Sequence, residues 1–302
     1  MANKSSMSGY PDPSVKLAPV PAASLDLHGK TLVVVGGTDG LGRAIARLAA
    51  SRGAAVTAVG RTFRDEGVSN LSFAKADLAS LKTAERLGKE LAVERADVVL
   101  YTAGIMAAKK REATDEGIER DLAISYLNRF VMTRELAPRL GVARPAGAPP
   151  ARVFVMGFPG TGQLGDPDDL NADNSYDAFK VHMNTVAGNE ALVLEGGRRW
   201  PEVRFFGLNP GLIKTNIRAN FLGEGSFTHR VAEFFIGLSM TSPERYAERI
   251  LPVLFAPELD AHQGKMFGAK GNPILPTDGM SPEHVARLMA ASERLADGVL
   301  QT

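Results

Sequence analysis

A tyrosine and a lysine four residues apart can do acid–base chemistry. Tyr176 and Lys180 fall in a segment with helical periodicity, residues 176–194, so both side chains are expected on one face of a helix. A phenol has an ordinary pKa of about 10, and a neighbouring ammonium lowers that pKa by favouring the phenolate. Tyr176 would then give and take a proton near neutral pH. An isolated tyrosine and lysine at this spacing are more often a pair on a helix surface. The functional interpretation therefore depends on the other motifs of the chain.

A glycine-rich turn offers a site for a phosphate group. The chain reads Gly36-Gly37-Thr38-Asp39-Gly40-Leu41-Gly42, between the apolar run 31–35 and the helical pattern 41–51. Glycines at 36, 40 and 42 permit a tight turn and close approach of the backbone. The free N–H groups and positive dipole end of the helix favour an anion there. A bare turn has the same composition, but between a strand and a helix the pattern predicts a dinucleotide pyrophosphate site.

An arginine follows the second predicted strand, in Gly60-Arg61-Thr62. A carboxylate at this place would accept hydrogen bonds from the ribose hydroxyls of NAD. An arginine can instead pair with the 2′-phosphate of NADP. Asp39 could repel that phosphate or orient Arg61. The sequence therefore favours NADP(H) over NAD(H), with a plain surface arginine as the alternative.

Short apolar runs alternate with helical patterns along the chain. The predicted strands are 31–35, 54–59, 71–76, 97–101, 152–156 and 203–208, and the predicted helices are 41–51, 81–93, 117–139 and 176–194. Strands that are apolar throughout need helices on both faces. The sequence therefore predicts an α/β fold with a doubly wound parallel sheet of Rossmann type in a single domain. Ligands are expected beyond the carboxyl ends of the strands, where the strand order reverses.

Composition excludes several classes of protein. The chain has 302 residues, 44% of them hydrophobic, and 35 basic against 34 acidic residues, so it lacks the basic field that holds nucleic acid. It has no cysteine, which excludes disulfides, thiolate zinc sites and a cysteine nucleophile. Its five histidines are scattered, so no metal site is expected. The sequence has no apolar run of about 18 residues, the length that a membrane-spanning helix needs. The expected location is cytoplasmic.

Taken in order, these motifs resemble the short-chain dehydrogenase/reductase family, in its retinol-dehydrogenase-like branch, from about Gly29 onward. The glycine turn is similar to the family's cofactor loop, and Tyr176 to Lys180 matches its Tyr-x-x-x-Lys catalytic pair. The resemblance implies that Tyr176 is the acid/base and that Lys180 also holds the nicotinamide ribose. It implies further cofactor contacts at Gly36, Thr38, Asp39, Gly40, Leu41, Gly42, Arg61, Asp77, Leu78, Thr102, Ala103, Gly104, Pro210, Gly211, Leu212, Ile213 and Thr215.

Two departures from the family pattern concern the reaction itself. The family's serine after the fifth strand is missing, since Gly157 and Phe158 stand there, and Thr161 is the nearest hydroxyl. The family's asparagine in the preceding long helix is replaced by Ser125, which is the third catalytic candidate because it could keep a water-mediated relay. Phe158 and Thr161 are candidate substrate contacts, as is Phe221. Loss of one oxyanion contact commonly costs about 10²–10³ in rate.

The ends and loops complete the predicted organisation. Residues 1–28 are rich in Ser, Pro and Ala and predict a mobile arm before a domain at 29–302. The resemblance implies a substrate lid at about 216–240, where glycines could be hinges and phenylalanines favour an apolar substrate. It also implies a homodimer or homotetramer.

Three hypotheses for function follow. The first is an NADP(H)-dependent oxidoreductase of ketoreductase or alcohol dehydrogenase type, acting on a carbonyl or alcohol of an apolar small molecule. The second is a reductase of an activated carbon–carbon double bond. The third is a non-catalytic NADP-binding sensor or partner protein. The missing serine counts against the first, and the intact Tyr176–Lys180 pair counts against the third.

Overall fold

The computed structural model describes residues 9–211 and 241–302. Its strands are β1 (Thr31–Val35), β2 (Ala55–Gly60), β3 (Leu71–Lys75), β4 (Val98–Tyr101), β5 (Arg152–Met156), β6 (Arg204–Leu208), β7 (Lys265–Phe267) and β8 (Pro273–Ile274). Its helices are α1 (Gly40–Ser51), α2 (Leu81–Glu90), α3 (Arg120–Leu122), α4 (Asn128–Leu136), α5 (Ala178–Arg199), α6 (Pro243–Leu254) and α7 (Pro282–Leu300). A π-helical stretch, Ala123–Leu127, joins α3 to α4.

The described strands form one sheet in the order β3-β2-β1-β4-β5-β6-β7-β8. Neighbours from β3 to β7 pair in parallel, and β8 is antiparallel to β7. The strand order reverses between β1 and β4, which opens a crevice at their carboxyl ends. The predicted doubly wound α/β fold in a single domain is confirmed.

Apolar layers cover both faces of the sheet, because successive buried side chains of its central strands point to opposite faces. In β1, Val33 and Val35 belong to the layer that includes side chains of α2, α4, α5 and α7. Leu32 and Val34 belong to the opposite layer, which includes side chains of α1 and α6. Removing this much apolar surface from water is the main stabilising contribution to such a domain, and it fixes the strand ends where the loops of the cleft begin.

Residues 9–28, for which the sequence predicts a mobile arm, contact the rest of the domain at several points. Pro11 forms an antiparallel bridge with Ile274. The Lys265 Nζ lies 2.9 Å from the Asp12 Oδ2, and the Val15 side chain is buried. These contacts involve single residues in a segment rich in proline and serine, so no periodic sequence pattern predicts them. The neighbouring strand β8 and the helix α7 were not predicted from the sequence either.

The helix α5 begins two residues later than predicted. Asp177 is its N-cap residue, and the Asp177 side chain accepts a hydrogen bond from the Lys180 N–H at 2.9 Å. Aspartate is among the strongest N-cap residues, so Tyr176 precedes the helix and Lys180 lies in its first turn. In the described part of the chain, no helix is both long and apolar enough to cross a membrane.

Candidate active site

A cleft runs along the carboxyl ends of β1 to β6, lined by the loops that follow these strands and by one face of α5. Of the predicted cofactor contacts, those that line it are Gly36, Thr38, Asp39, Gly40, Leu41, Gly42, Arg61, Asp77, Leu78, Thr102, Ala103, Gly104, Pro210 and Gly211. Ser125, Phe158 and Thr161 line it as well. Leu212, Ile213, Thr215, Phe221 and the predicted lid at 216–240 fall outside the described residues.

The turn between β1 and α1 leaves no room for side chains at two glycines. Gly36 has a φ of +89°, and a Cβ there would lie 2.7 Å from the Ala103 Cα and 2.8 Å from the Thr102 Oγ1. A Cβ on Gly42 would overlap with the Gly36 carbonyl oxygen and the Thr102 hydroxyl. The backbone of the turn therefore lies directly against the end of β4. The first N–H groups of α1 have no intrahelical acceptors, which makes this end of the cleft suited to a phosphate.

Thr102 stands where the family pattern has asparagine, and its hydroxyl has a structural partner. The Thr102 Oγ1 donates to the Val35 carbonyl oxygen at 3.0 Å. This bond joins the carboxyl ends of β1 and β4 at the switch point, next to the glycine turn.

Near the end of β2, the carboxylates Asp39 and Asp65 have arginine partners, whereas Arg61 has no carboxylate partner among the described residues. Asp39, which caps α1 by accepting from the Gly40 N–H at 2.9 Å, lies 3.3 Å from the Arg64 guanidinium. The buried Asp65 accepts from both Arg43 and Arg47. Arg61 is exposed, and within residues 9–211 and 241–302 no carboxylate forms an ion pair with it. Asp39 is thus paired with Arg64 rather than Arg61.

Neither Tyr176 nor Lys180 contributes to the lining of the cleft. The Tyr176 hydroxyl donates to the Ala108 carbonyl oxygen at 2.5 Å, and Lys180 is exposed. Burial, together with the negative charges of nearby carboxylates such as Glu119 and Asp121, raises the pKa of Tyr176 to about 12. The direction is opposite to the lowering expected from Lys180, because burial and then the nearby carboxylates favour the neutral phenol.

The face of α5 that lines the cleft includes Phe179, His182, Met183 and Val186. Their spacing of three and four residues is that of one helix face. The His182 Nδ1 lies 2.7 Å from the Asp121 Oδ2, and the other oxygen of Asp121 accepts from the Ser125 hydroxyl at 2.5 Å. Ser125, expected as a proton relay, thus supports a buried carboxylate that holds a histidine.

A buried arginine lies beneath the cleft. The Arg129 Nη1 donates to the Asn189 Oδ1 at 2.9 Å and to the Met156 carbonyl oxygen, and its Nη2 donates to the Ala103 carbonyl oxygen. Its Nε has no hydrogen-bond partner among the described residues. Burial lowers the pKa of Arg129 to about 9, which still leaves it protonated at neutral pH. The guanidinium ties the ends of β4 and β5 to α5.

The place of the family's serine after β5 has no hydroxyl group. Gly157 and Phe158 occupy it, and the Thr161 hydroxyl donates to the Phe158 carbonyl oxygen at 2.7 Å. Directly after β6, Asn209 is buried and its Oδ1 accepts a hydrogen bond from the Gly211 N–H at 3.0 Å. This bond holds the turn after β6 at the rim of the cleft.

Sequence reasoning missed three polar residues in or beside the cleft. Asp121 and His182 are 61 positions apart, so their pairing has no local signal. Arg129 did have one, because it interrupts an apolar stretch that includes Leu127 and Phe130, and a cation at such a position needs polar partners.

Comparisons with known proteins agree with this fold. A family model described as short chain dehydrogenase matches residues 30–148. The chain is 42% identical over 294 residues to the uncharacterized oxidoreductase YKL107W of Saccharomyces cerevisiae, covering 96% of this chain and 95% of that protein. It is 28% identical to retinol dehydrogenase 14 of Homo sapiens, covering 91% and 88% of the two chains. An uncharacterized protein from Mycobacterium paratuberculosis has a similar crystal structure, with a TM-score of 0.69, 22% identity, and coverage of 93% of this chain and 98% of that chain.

Proposed function

Because the chain belongs to the short-chain dehydrogenase/reductase family, we propose that it is an NADP(H)-dependent oxidoreductase. It transfers a hydride between the nicotinamide and a carbonyl or alcohol carbon of an apolar small molecule. Bound NADPH supplies the hydride. The residues of the chain bind the cofactor, orient the substrate and move the proton.

The glycine turn fits the pyrophosphate of a dinucleotide. A Cβ at Gly36 or Gly42 would collide with the backbone around it, so the turn keeps its N–H groups open to a ligand at the start of α1. Asp77 and Leu78 after β3 would contact the adenine. Thr102, Ala103 and Gly104 after β4, with Pro210 and Gly211 after β6, would enclose the nicotinamide half.

Arg61 is the observation that supports NADP(H) over NAD(H). It lines the cleft at the end of β2, the place that contacts the adenosine ribose in folds of this topology. Asp39 lies 3.3 Å from the Arg64 guanidinium, so this carboxylate already has a partner and competes less for Arg61 or a 2′-phosphate. A forked guanidinium binds a phosphate with two charge-assisted hydrogen bonds.

The substrate end of the cleft favours an apolar molecule. Ile105, Met106, Phe158, Phe179 and Met183 line it there, and pockets with this lining bind apolar ligands that a few polar groups orient. The name of the human relative, a retinol dehydrogenase, is in keeping with this chemistry. Catalytic roles for Tyr176 and Lys180 stay predictions.

A titration of the purified protein with NADPH and with NADH, followed by nicotinamide fluorescence, tests the cofactor preference. We expect tighter binding of NADPH. Arg61→Ala should weaken NADPH binding roughly 10- to 100-fold, because a hydrogen bond to a charged group contributes about 1.5–3 kcal/mol. NADH binding should stay unchanged.

Arg86→Ala is the matched control, since it removes an exposed arginine of α2 that pairs with Glu90 and does not line the cleft. Equal affinity of the wild type for both nucleotides, or an equal loss of both in Arg61→Ala, would contradict the preference.

A second candidate reaction is reduction of an activated carbon–carbon double bond. It is favoured by Gly157 and Phe158, because no hydroxyl at that place polarises a substrate carbonyl. Turnover of a panel of ketones and enones with NADPH separates the two reactions. A protein that binds NADPH but reduces neither class would be the non-catalytic alternative. A cytoplasmic location and a homodimer or homotetramer stay predictions.

A further inference from the structure

A buried carboxylate on α5 holds the loop that follows β5. Glu190 is 1% exposed, and among the described residues no basic side chain forms an ion pair with it. Its Oε1 accepts from the Thr277 N–H at 2.5 Å, and its Oε2 accepts from the Thr277 hydroxyl at 2.8 Å and from the Gly160 N–H at 3.1 Å. Removal of a carboxyl group from water is costly unless its oxygens are hydrogen-bonded, and here both oxygens are.

Thr277 extends this contact to a second residue of the loop. Its hydroxyl oxygen accepts from the Gly162 N–H at 3.2 Å while it donates to Glu190, and Thr277 is 5% exposed. The backbone N–H groups of Gly160 and Gly162 are therefore both bonded to one buried cluster, made of Glu190 and Thr277. The cluster connects the loop after β5 to the middle of α5 and to the segment after β8.

The backbone around the cluster is itself fixed by close contacts. Gly160 has a φ of +77°, and a Cβ there would lie 2.7 Å from the Leu275 carbonyl oxygen, so the loop lies directly against the segment after β8. The Leu275 N–H donates to the Tyr10 carbonyl oxygen at 2.7 Å. The Asn209 Nδ2 donates to the Pro159 carbonyl oxygen at 3.1 Å. The loop is thus anchored at three of its residues, 159, 160 and 162, to parts of the fold outside the cleft.

The remaining residues of the same loop line the cleft. Phe158, Thr161 and Gln163 belong to its lining, whereas Glu190 and Thr277 do not. Along the loop, residues that line the cleft therefore alternate with residues that are anchored away from it. A displacement of the anchored backbone would move the Phe158 side chain and the other side chains at the end of the cleft where the substrate would lie.

We propose that Glu190 and Thr277 are positioning residues for the substrate, because their hydrogen bonds hold the loop at residues 157–163 in the conformation that binds it. The proposal rests on the proposed function. A loop that leaves this conformation part of the time lowers the apparent affinity for a ligand by the fraction of molecules that can bind it. Once the substrate is bound the loop is ordered, so the cluster sets the affinity for the substrate and not the rate of the chemical step.

Glu190→Gln is the first test, because it keeps the shape of the side chain and removes one acceptor. Whichever way the amide is turned, its NH₂ group faces a backbone N–H, either that of Thr277 or that of Gly160. The substrate panel is benzaldehyde, acetophenone and cyclohexenone, each with NADPH. We expect KM for the substrate to rise roughly 10-fold, the effect of one lost buried hydrogen bond, while kcat stays within about twofold of the wild type. NADPH affinity, measured by fluorescence, should stay unchanged.

Glu195→Gln is the matched control for this variant. Glu195 lies on the same helix, but its partner is the exposed Arg198 at the protein surface, and it does not line the cleft. We expect KM, kcat and NADPH affinity of Glu195→Gln to equal those of the wild type. An equal rise of KM in both variants would overturn the proposal, because the effect would then belong to α5 as a whole.

Two substitutions of Thr277 separate its hydrogen bonds from its packing. Thr277→Val keeps the volume of the side chain but removes the hydroxyl between Glu190 and Gly162. Thr277→Ser keeps the hydroxyl but loses a methyl group. We expect KM to rise in Thr277→Val and to stay near the wild-type value in Thr277→Ser. Packing alone predicts the reverse order, so the reverse order would overturn the proposal.

Hydrogen exchange tests the anchoring without any substrate. A peptide that spans residues 157–165 contains the N–H groups of Gly160 and Gly162, and its exchange can be followed by mass spectrometry in the cofactor-free protein. We expect slow exchange in the wild type and faster exchange in Glu190→Gln, with no change in a peptide that spans β1. Exchange of the wild-type loop at the rate of an unstructured peptide would overturn the proposal without any variant.

The outcomes distinguish this proposal from the one it rests on. A wild type that binds neither NADPH nor NADH contradicts the proposed function. A wild type that turns over the panel, with an unchanged KM in Glu190→Gln, overturns only the role of the cluster. A wild type that binds NADPH but reduces nothing in the panel overturns that role as well. Thermal denaturation followed by circular dichroism shows whether each variant is folded.

Discussion

The glycine turn after β1 and the start of α5 carry two motifs of the same family, yet only one of them lies in the cleft. The turn acts through its backbone, and what matters is the absence of a Cβ at Gly36 and Gly42. The Tyr-x-x-x-Lys pattern acts through side chains, whose direction changes by about 100° with each residue of a helix. The place of a backbone motif relative to the cleft therefore follows from the strand end that it adjoins. The place of a side-chain motif depends in addition on where its helix begins.

The connections before the two helices explain the difference. Only residues 36–39 separate β1 from α1, whereas residues 157–177 separate β5 from α5. A short connection fixes where its helix begins, and a long one does not. Phe179 and His182 line the cleft, whereas Lys180, which lies between them along the chain, does not.

Arg129→Met should have the largest effect, because the Arg129 guanidinium joins the ends of β4 and β5, beside the glycine turn, to the middle of α5. It would leave the carbonyl oxygens of Ala103 and Met156 and the Asn189 Oδ1 without this donor. Each unsatisfied buried group costs about 1–3 kcal/mol. Removal of a buried cation without a carboxylate partner offsets part of this loss. We expect the free energy of unfolding to fall by about 3 kcal/mol, measured by urea denaturation.

Arg134→Met provides the control for Arg129→Met, since Arg134 on the same helix is partly exposed and pairs with the exposed Asp297. Surface pairs contribute about 0–1 kcal/mol. Equal stability of the two variants would mean that the two regions are held together by packing alone.

Gly42→Ala tests the backbone motif, with the next largest effect. The new Cβ would lie 2.9 Å from the Gly36 carbonyl carbon and overlap with its oxygen. Such overpacking costs about 1–3 kcal/mol, and it falls on the turn that would hold the pyrophosphate. We therefore expect NADPH binding to weaken roughly 10- to 100-fold in a fluorescence titration.

Gly298→Ala is the matched substitution in α7, where a Cβ meets no atom within 4 Å. It should stabilise the protein by about 0.5–1 kcal/mol and leave NADPH binding unchanged. If Gly42→Ala binds NADPH as tightly as Gly298→Ala, the close approach of the turn is not needed for the cofactor.

Predictions from the sequence were most accurate for elements whose position depends on a single strand or a single turn. The bounds of β1 and β5 agree residue for residue with the apolar runs 31–35 and 152–156, and the glycine turn lies where its strand ends. The start of α5 was less predictable, because its N-cap Asp177 competes with an apolar periodicity that also includes Tyr176. The pair of Asp121 with His182 could not be predicted, since it depends on the packing of α5 beside α3 rather than on local spacing. The strand β8 has two residues and thus no pattern to recognise.

Tyr176→Phe should have the smallest effect on stability, and it tests the side-chain motif directly. The substitution removes the hydrogen bond to the Ala108 carbonyl oxygen, which contributes about 0.5–1.5 kcal/mol to stability. Since the family pattern makes Tyr176 the acid–base residue, we expect a turnover number about 10²- to 10⁴-fold lower at unchanged NADPH affinity. A turnover number within about twofold of the wild type would contradict that role. Because Tyr176 and Lys180 do not line the cleft, the expected loss would mean that the first turn of α5 rearranges when the cofactor binds, and the difference between the two motifs would be one of conformation rather than of sequence.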